Sequence, residues 1–592
     1  MSTPASAAAE RSPDNAVAVE PWGPGPLARA RREGRLVALL VDAAWSPGRS
    51  AAGDVERARA AVPPDRGAAA YLLVDEAAEP AVALRGRWIA RLFDVDERLP
   101  YAVVCVARPR SAALLPLYAL PSQPTAAQLA ARDRALAAWA ADRGALALQA
   151  LRHRRVLAAS ARRGWRGRPT LAAILADGIA ATQADVEPTA GGWRSAPGRP
   201  RPTALRLLLV AAARGDAQAG ELARRALARL AASGMCDPLD GGFFHAAHDA
   251  SWRIPDFART AADNAALLAL YSAAAVQLDE PWFAEVARGI ATYLLGTLRD
   301  PATRGFFASQ AADERYYTWT TRQVTAALPF DRVQAACLHF DVQPRGGPLR
   351  DQSLNVLYPA MDATTLAPYI GCAPAEAAER IIAVREALRA ARAERAAPPL
   401  DRTRYVDVNA QVVSALLAGA AALAEPAWRT AALATLAALE AECFSAAPVA
   451  VPHRLGGDAG TGEPYLGDYA ALGRALLDAH ATTGEPRYLQ RARAVADALL
   501  ARFRDPRAGA LLDVPRTSLV SRAFWPEQPF EDGAGPAPAA LAASLLLDLG
   551  QRPGGAAYRE AALAALGTGA AAAGDDPVAA AGYYLTLAAL AD

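Results

Sequence analysis

The chain has 592 residues, of which 53% are hydrophobic and 21% are charged. This composition supports a large buried core and excludes a disordered tail or a fibre. The 63 basic residues, all of them arginine, and the 61 acidic residues leave a formal net charge of +2. That charge is too small for a nucleic-acid-binding surface, and the lack of lysine excludes Schiff-base chemistry.

The first 20 residues predict a flexible leader, because they are rich in Ala, Ser and Pro and carry interspersed acids. They lack the basic start and apolar block of a secretory signal. No later stretch approaches the about 20 apolar residues of a membrane span, so we expect no membrane partner. The five cysteines are scattered, which argues against a disulfide framework and favours the cytoplasm. They are Cys105, Cys236, Cys337, Cys372 and Cys443.

Residues 21–125 predict a small α/β domain. Three apolar runs, 36–41, 68–74 and 101–107, are typical of buried strands, and 114–120 can pair with the third after a turn at 108–111. Helical patterns cover 47–61 and 80–92, and another helix begins at Thr125. We assign residues 126–169 to a helical connector.

The first strand is followed by Trp45-Ser46-Pro47-Gly48-Arg49, and Pro100 precedes the third strand. In this order the elements resemble thioredoxin, in which a Trp and a Cys-x-x-Cys begin the helix and a cis-proline precedes the strand. The resemblance is closest to the spermatogenesis-associated protein 20 family. It implies a thioredoxin-like domain at the front of the chain.

Ser46 and Arg49 stand where that family carries its two cysteines. A dithiol oxidoreductase needs a thiolate at a helix N-terminus and a second thiol that resolves the mixed disulfide. We therefore predict a redox-inactive domain. We expect Ser46 to cap the helix ahead of Pro47; the alternative is that Ser46 and the helix N-terminus bind an anion.

Residues 170–592 predict an all-α domain, because long Ala- and Leu-rich segments alternate with Gly, Pro and Asp. About twelve helical patterns fit six hairpins. They lie near 203–215, 216–233, 257–278, 280–299, 374–395, 406–424, 426–444, 466–483, 485–504, 536–549 and 556–567, with weaker ones near 320–328 and 576–590. Hairpins closed on themselves form an (α/α)6 toroid with a central funnel.

A repeated corner supports this architecture. An acid and a proline, then a glycine and an apolar or aromatic residue, recur after helices. The four copies start at Glu187-Pro188, Asp237-Pro238, Asp300-Pro301 and Asp505-Pro506.

The resemblance to the same family continues through this region. The matching pieces include Gly191 to Gly198, Asp240 to Phe244, Tyr316 to Thr320, Leu466 to Ala470 and Asp532 to Ala534. It implies a six-hairpin glycosidase-like barrel. Several polar family residues are replaced here, among them at Ala246, Ala258 and Ala537, which is what loss or change of activity would leave behind.

The segment from Gly241 to Asn264 is the richest in polar and aromatic side chains, and in a toroid it would cross the mouth of the funnel. Acids there can hydrogen-bond a sugar while aromatics stack on its ring, and glycoside hydrolysis needs two carboxylates. The catalytic candidates are Asp249, Asp256, Asp263, His245 and His248, and the further carboxylates are Asp313, Asp468 and Asp532. The ligand-binding candidates are Trp252, Asn264, Tyr316, Trp319, Asn409, Asp468 and Tyr469.

The sequence leaves three possible roles for His245 and His248. They bind a metal, they act as an acid–base pair as in sugar epimerases on the same toroid, or they are polar residues of the loop. We expect no metal, because no third ligand is indicated, and no cofactor. His339, His453 and His480 stand alone and are expected to be structural or exposed. Asp263 and Asn264 interrupt an Ala-rich helix, so they serve either a buried polar network or a ligand.

Two functions follow. The first is a redox-inactive, thioredoxin-domain protein whose barrel binds or processes a carbohydrate-like ligand. The second is a non-catalytic scaffold, a pseudoenzyme that binds another protein. The first rests mainly on analogy of fold.

Overall fold

The computed structural model describes residues 17–46, 49–64, 68–96, 98–107, 112–160, 170–187, 191–196, 198–347, 349, 351–445, 449–456 and 463–591. These residues form two compact units. The first unit draws on residues 1–163 and 514–527, and the second on 164–513 and 528–592. The segment 514–527, which the sequence analysis assigns to the barrel, therefore belongs to the first unit.

A five-stranded sheet forms the centre of the first unit. Its strands are β1 (Val19–Pro21), β2 (Leu36–Asp42), β3 (Ala69–Asp75), β4 (Tyr101–Ala107) and β5 (Leu114–Pro121). They lie in the order β1-β3-β2-β4-β5; β1 and β2 run parallel to β3, β4 antiparallel to β2, and β5 antiparallel to β4. Every residue of β2 and β4 is buried, as expected of strands in the middle of a covered sheet.

Five helices accompany this sheet along the chain: α1 (Pro24–Arg32), α2 (Ala51–Ala61), α3 (Pro80–Leu92), α4 (Ala126–Ala141) and α5 (Arg143–Ser160). The Leu99–Pro100 peptide bond is cis. The strand order and directions confirm the predicted α/β thioredoxin-like class. Helices α4 and α5, predicted as a connector, bury Leu136, Trp139 and Ala150 in the core of this unit.

Two local expectations are wrong. Strand β1 begins at Val19, inside the predicted leader, because Val19–Pro21 pairs with Tyr71–Leu73. Helix α2 begins at Ala51, and Ser50 caps it by accepting a hydrogen bond from the Gly53 amide at 3.1 Å. Ser46 therefore does not cap this helix. Pro47, Gly48, and the predicted turn at 108–111 lie outside the described residues.

Two aromatic residues of the segment 514–527 pack against tryptophans from the start of the first unit. Trp525 stacks against Trp88 with ring centroids 6.5 Å apart, and Phe524 lies 6.0 Å from Trp22. The buried guanidinium of Arg85 donates to the Trp525 carbonyl oxygen at 2.8 Å. Residues far apart in the sequence thus complete one core.

The second unit is a closed ring of helices. In chain order it contains α6 (Leu171–Asp185), α7 (Pro202–Ala213), α8 (Ala217–Ala231), α9 (Ala261–Gln277), α10 (Pro281–Tyr293), α11 (Glu314–Tyr317), α12 (Thr321–Ala327), α13 (Phe330–His339), α14 (Ala363–Ile370), α15 (Pro374–Ala393), α16 (Val406–Leu423), α17 (Pro426–Cys443), α18 (Leu466–Thr483) and α19 (Pro486–Phe503). After α20 (Leu519–Ala523) of the first unit come α21 (Pro538–Gly550), α22 (Ala556–Asp575) and α23 (Ala581–Ala591). A π-helical turn, Leu294–Leu298, follows α10.

Six inner helices contact one another in the order α7, α9, α16, α18, α21 and α23, and α23 contacts α7 again. Helices α8, α10, α17, α19 and α22 each pack outside the inner helix that precedes them, and α6 packs on α7 and α23. This closure confirms the predicted (α/α)6 toroid. By length and composition α16 is apolar enough to cross a membrane, yet it is an inner helix of the ring and half of it is buried.

The ring has a direction. The connections from inner to outer helices are short, at 214–216, 278–280, 424–425, 484–485 and 551–555. Helices joined by such short loops run antiparallel, so the inner helices all begin at the same end of the ring. We call this the N-terminal end, and most of the long connections lie there.

The longest of these connections, between α10 and α16, holds α11 to α15. Helix α15 packs on α12, α13 and α14 and shares a separate apolar cluster with α12 and α13. The prediction that the helix at 374–395 belongs to one of the six hairpins is wrong. The twelfth helix of the ring is α6, which packs on α7 and α23.

The predicted corner recurs. Single antiparallel bridges join residues seven apart at Val186 and Trp193, Cys236 and Phe243, Arg299 and Phe306, and Arg504 and Leu511. Positive φ occurs at Gly191, Gly241 and Gly509, but at Arg304 in the third corner. There the following Gly305 allows close approach of the Asn409 side chain. Residues 188–190 of the first corner lie outside the described residues.

Gly241 offers a test of the corner. Its φ is +73°, and an added Cβ would lie 2.3 Å from the Gly289 carbonyl oxygen of α10. Gly554 is a matched control, because its φ is +78° but nothing lies within 4 Å of an added Cβ. We expect Gly241→Ala to lower the free energy of unfolding by about 1–3 kcal/mol more than Gly554→Ala, measured by urea denaturation. Equal losses would show that the corner tolerates the methyl group.

Candidate functional site

Asn264, in the first turn of α9, holds the preceding corner. Its Oδ1 accepts from the Phe243 amide at 2.8 Å, and its Nδ2 donates to the carbonyl oxygens of Phe243 at 3.0 Å and Thr260 at 2.9 Å. Asn264 is fully buried. Both amide hydrogens and the oxygen are therefore used within the fold.

Asn409, in the first turn of α16, makes the same three contacts one hairpin later. Its Oδ1 accepts from the Phe306 amide at 2.6 Å, and its Nδ2 donates to the carbonyl oxygens of Phe306 and Tyr405 at 3.0 and 2.8 Å. We call these two residues the asparagine clasps. The sequence leaves open whether Asn264 serves a buried polar network or a ligand, and it predicts Asn409 as a ligand-binding candidate. The observed geometry favours a structural network for both asparagines.

His245 and Asp263 form a pair beside the first clasp. The His245 Nδ1 lies 2.8 Å from the Asp263 Oδ2, and the Thr260 hydroxyl donates to the same oxygen. Thr260 also caps α9 by accepting from the Asp263 amide at 3.0 Å. The His245 side chain retains 12% exposure, so the imidazole lies at the boundary of the fold.

Two more charged groups adjoin this imidazole. The Arg199 Nη1 lies 3.1 Å from the His245 Nε2, and Asp256 interacts electrostatically with the ring. Burial opposes protonation of His245, but the Asp263 carboxylate outweighs it and raises the imidazole pKa. Burial raises the pKa of Asp256, whereas His245 lowers that of Asp263 against the effect of burial. The pKa values of the two carboxyl groups are thus shifted in opposite directions, an arrangement suited to proton transfer.

Asp249 and His248, the other catalytic candidates of this segment, are not part of the group formed by His245, Asp256 and Asp263. Asp249 accepts from the amides of Ser251, Arg253 and Ile254, at 3.2, 3.2 and 2.7 Å, and so shapes its own turn. These hydrogen bonds hold its pKa below the usual range although burial opposes them. His248 is exposed, and within the described part of the chain its side chain is not among the contacts of Asp263. No contact between His245 and His248 occurs among the hydrogen bonds and ion pairs of the described residues, and their action as an acid–base pair stays a prediction.

The aromatic candidates are mostly core. Trp252 and Trp319 are each 1% exposed, and Arg395 stacks on Trp319 at 3.8 Å. Tyr316 is half-buried, and its amide donates to Asp313 Oδ1 at 3.0 Å, which makes Asp313 the cap of α11. Neither tryptophan presents a ring face for a sugar.

Asp468 is fully buried in the first turn of α18 and faces His453. The His453 Nδ1 lies 3.0 Å from each Asp468 carboxylate oxygen. Burial raises the Asp468 pKa to about 6. Its neighbour Tyr469 is buried, and the Tyr469 hydroxyl accepts from the Val451 amide at 3.2 Å.

Asp532 lies between the starts of α21 and α23. It accepts from the amides of Ala537 at 2.7 Å and Gly582 at 2.8 Å, and burial raises its pKa to about 7. Because both carboxylate oxygens receive backbone donors, this acid ties the last inner helices together.

The sequence predicts His453 to be structural or exposed, and it does not single out Arg199 or Asp407 as site residues. A signal existed for His453. Asp263 and Asp468 each stand two residues after the first residue of an inner helix, and each meets a histidine from the connection before it. Aligning the hairpins with one another would have placed His453 beside Asp468.

In the first unit, ion pairs surround the positions that correspond to the dithiol. Arg49 Nη1 lies 2.5 Å from Asp75 Oδ2, and Arg57 lies 2.7 Å from the fully buried Asp42 and also contacts Asp54. The Ser46 hydroxyl is buried and has no hydrogen-bond partner among the described residues, while Trp45 beside it is half-buried.

No protein-family model matches the chain. Spermatogenesis-associated protein 20 of Mus musculus is 26% identical over 359 residues, which cover 54% of this chain and 45% of the mouse protein. The human protein of the same name is 29% identical over 155 residues, 24% of this chain and 20% of its own. Both proteins are similar in sequence to this chain over part of its length. The matches span less than half the length of these relatives.

Solved structures similar to this chain include a D-mannose isomerase, at 11% identity and a TM-score of 0.44, covering 68% of this chain and 88% of the isomerase. A cellobiose 2-epimerase from Spirochaeta thermophila is 13% identical with a TM-score of 0.42, covering 67% and 85% of the two chains. At these identities and TM-scores the solved structures add nothing to the ring of helices that the helix contacts already show.

The His245–Asp263 pair predicts that the stability of this protein depends on pH. The raised pKa of His245 stabilises the fold below about 6.5, and this contribution is lost as pH rises through the raised value. The lowered pKa of Asp263 stabilises the fold above about 3.9 and is lost as pH falls through the lowered value. The pair should therefore stabilise most between about pH 4 and 6.5.

We expect histidine NMR titration to place the His245 pKa above its usual value, and Asp263→Asn to lower it. His339 is the internal control, because burial lowers its pKa and Asp263 is not among its causes. An unchanged His245 titration in Asp263→Asn would show that the pair does not form in solution.

Proposed function

We propose that the N-terminal end of the ring binds a carbohydrate-like ligand and that His245 serves there as a proton donor and acceptor. The observation that supports this proposal is the His245–Asp263 pair, at 2.8 Å and with the imidazole partly exposed. Asp263 orients the ring through Nδ1, and the opposite Nε2 atom, which contacts Arg199, is the position that gains or loses a proton.

The neighbouring groups suit a polyhydroxyl ligand. Arg199 is exposed and within 3.1 Å of the His245 Nε2, so a ligand oxygen can replace the imidazole as its hydrogen-bond partner. Asp256 is half-buried with a raised pKa and adds a second group able to carry a proton. Two groups of different acidity beside one ligand permit removal of a proton and its return.

The second candidate function is a non-catalytic scaffold. Two observations favour it. The asparagine clasps hydrogen-bond to the backbone, and Trp252 and Trp319 are buried in the core, so these residues stabilise the fold. Asp249 likewise shapes its own turn. A scaffold needs these residues for shape alone and makes no use of the acidity of His245.

We also propose that the first unit lacks dithiol activity. Its sequence, residues 1–163 and 514–527, contains one cysteine, Cys105. Cys105 lies in the middle of β4, where burial raises the thiol pKa far above its usual value. A neutral, buried thiol without a partner cysteine supports neither attack on a disulfide nor its resolution.

A thermal-shift screen with mono- and disaccharides tests the ligand proposal. We expect a saturable rise in Tm with at least one sugar, and His245→Gln or Asp263→Asn should weaken the apparent affinity at least about tenfold, or about 1.4 kcal/mol. His248→Gln is the matched control, because His248 is an exposed histidine of the same loop. Absence of any shift, or a shift that survives His245→Gln, would favour the scaffold.

Insulin reduction with dithiothreitol as the electron source tests the redox proposal. We expect the full chain to accelerate the reaction no more than an equal concentration of Cys105→Ser, while an ordinary thioredoxin serves as the positive control. Acceleration at thioredoxin-like rates by the unsubstituted chain would overturn redox inactivity, and the Cys105→Ser variant would then show whether that thiol is responsible.

A further inference from the structure

Three potential metal ligands meet where α16 and α18 begin. One ligand atom each from Asp407, His453 and Asp468 lies within 4.8 Å of the others. Asp407 and Asp468 stand in the first turns of these neighbouring inner helices, and His453 belongs to the connection between α17 and α18. His453 and Asp468 are buried, and Asp407 is half-buried.

The charge of this cluster is unbalanced. Two other buried acids of the ring pair with arginine: Asp237 with Arg259 and Arg392, and Glu440 with Arg491. Within the described ranges neither Asp407 nor Asp468 has an arginine at ion-pair distance, and His453 is the only group that provides a countercharge. Two carboxylates brought together in a buried place repel each other unless a cation lies between them.

The donor geometry fits a bound cation. His453 Nδ1 is equidistant from the two Asp468 oxygens, at 3.0 Å from each. Ligands about 2.1 Å from one ion and at right angles to each other lie about 3.0 Å apart, so these atoms have the spacing of neighbouring coordination positions.

A second layer of contacts orients the ligands. The Val408 amide donates to Asp407 Oδ1 at 2.8 Å, and the Asp407 amide donates to Asp468 Oδ1 at 3.1 Å. The rings of Tyr405 and Tyr465 each lie 4.8 Å from the His453 ring and restrict its plane. Such outer contacts fix metal ligands in place before the ion arrives.

We infer that Asp407, His453 and Asp468 bind one divalent transition-metal ion. A mixed set of imidazole and carboxylate donors suits Zn²⁺ or Mn²⁺, whereas Mg²⁺ prefers oxygen ligands alone. Three protein ligands leave coordination positions for water or a ligand hydroxyl. This site stands apart from His245 and Asp263 and does not depend on the sugar proposal.

Isothermal titration of the full chain, stripped with EDTA and desalted, tests the inference. We expect one site for Zn²⁺ or Mn²⁺ per chain and at least tenfold weaker binding of Mg²⁺. Asp407→Asn and His453→Gln should each weaken the transition-metal affinity at least tenfold. His245→Gln, which removes the other histidine of a His–Asp pair, should leave it unchanged.

Circular dichroism establishes which variants fold. If His453→Gln does not fold, Asp407→Asn decides, because it exchanges a half-buried carboxylate for an amide of the same shape. No uptake of either transition metal overturns the inference, as does uptake that Asp407→Asn leaves unchanged. Failure of the sugar screen would leave these titrations unaffected, so the two proposals fail separately.

Discussion

The asparagine clasps are the constraint on which the arrangement of the candidate site depends. A chain that leaves an outer helix through a tight corner carries backbone groups into the core, and each must find a partner there. Asn264 supplies that partner for both backbone groups of Phe243. Because His245 follows Phe243 by two residues and Asp263 precedes Asn264, the clasp also fixes the histidine against its carboxylate.

Ring closure decides where chemistry can occur. Helices α9, α16 and α18 each pack against two inner neighbours and one outer helix, which explains why they are Ala- and Leu-rich. Polar side chains are then tolerated mainly in the first turns, where backbone amides are unpaired. The acids Asp263, Asp407 and Asp468 all occupy such turns.

Arginine provides the countercharge for several buried acids, among them Asp42, Asp237 and Glu440, because the sequence contains no lysine. In the first unit Arg57 neutralises Asp42, and Arg49 occupies Asp75. A bidentate guanidinium suits such buried pairs, because its planar donors match a carboxylate. Arg49, at one of the two positions where the resemblance places a cysteine, is thereby held in an ion pair with Asp75.

The sequence by itself determined both folds, because the period of apolar residues and the repeated corner are local properties. It also located the segment that contains His245 and Asp263, since polar residues in an Ala-rich helix are visible without coordinates. It did not separate Asn264 from Asp263, because their roles depend on which backbone groups lie opposite them.

Only the tertiary structure decided which distant residues share a space. It excluded α15 from the ring, moved residues 514–527 into the first unit, and brought Asp407 and His453 to Asp468. The physical reason is that these contacts join hairpins that are neighbours around a closed ring, or segments hundreds of residues apart. Periodicity describes which face of a helix is buried, but the partner of that face is set by how the whole chain closes.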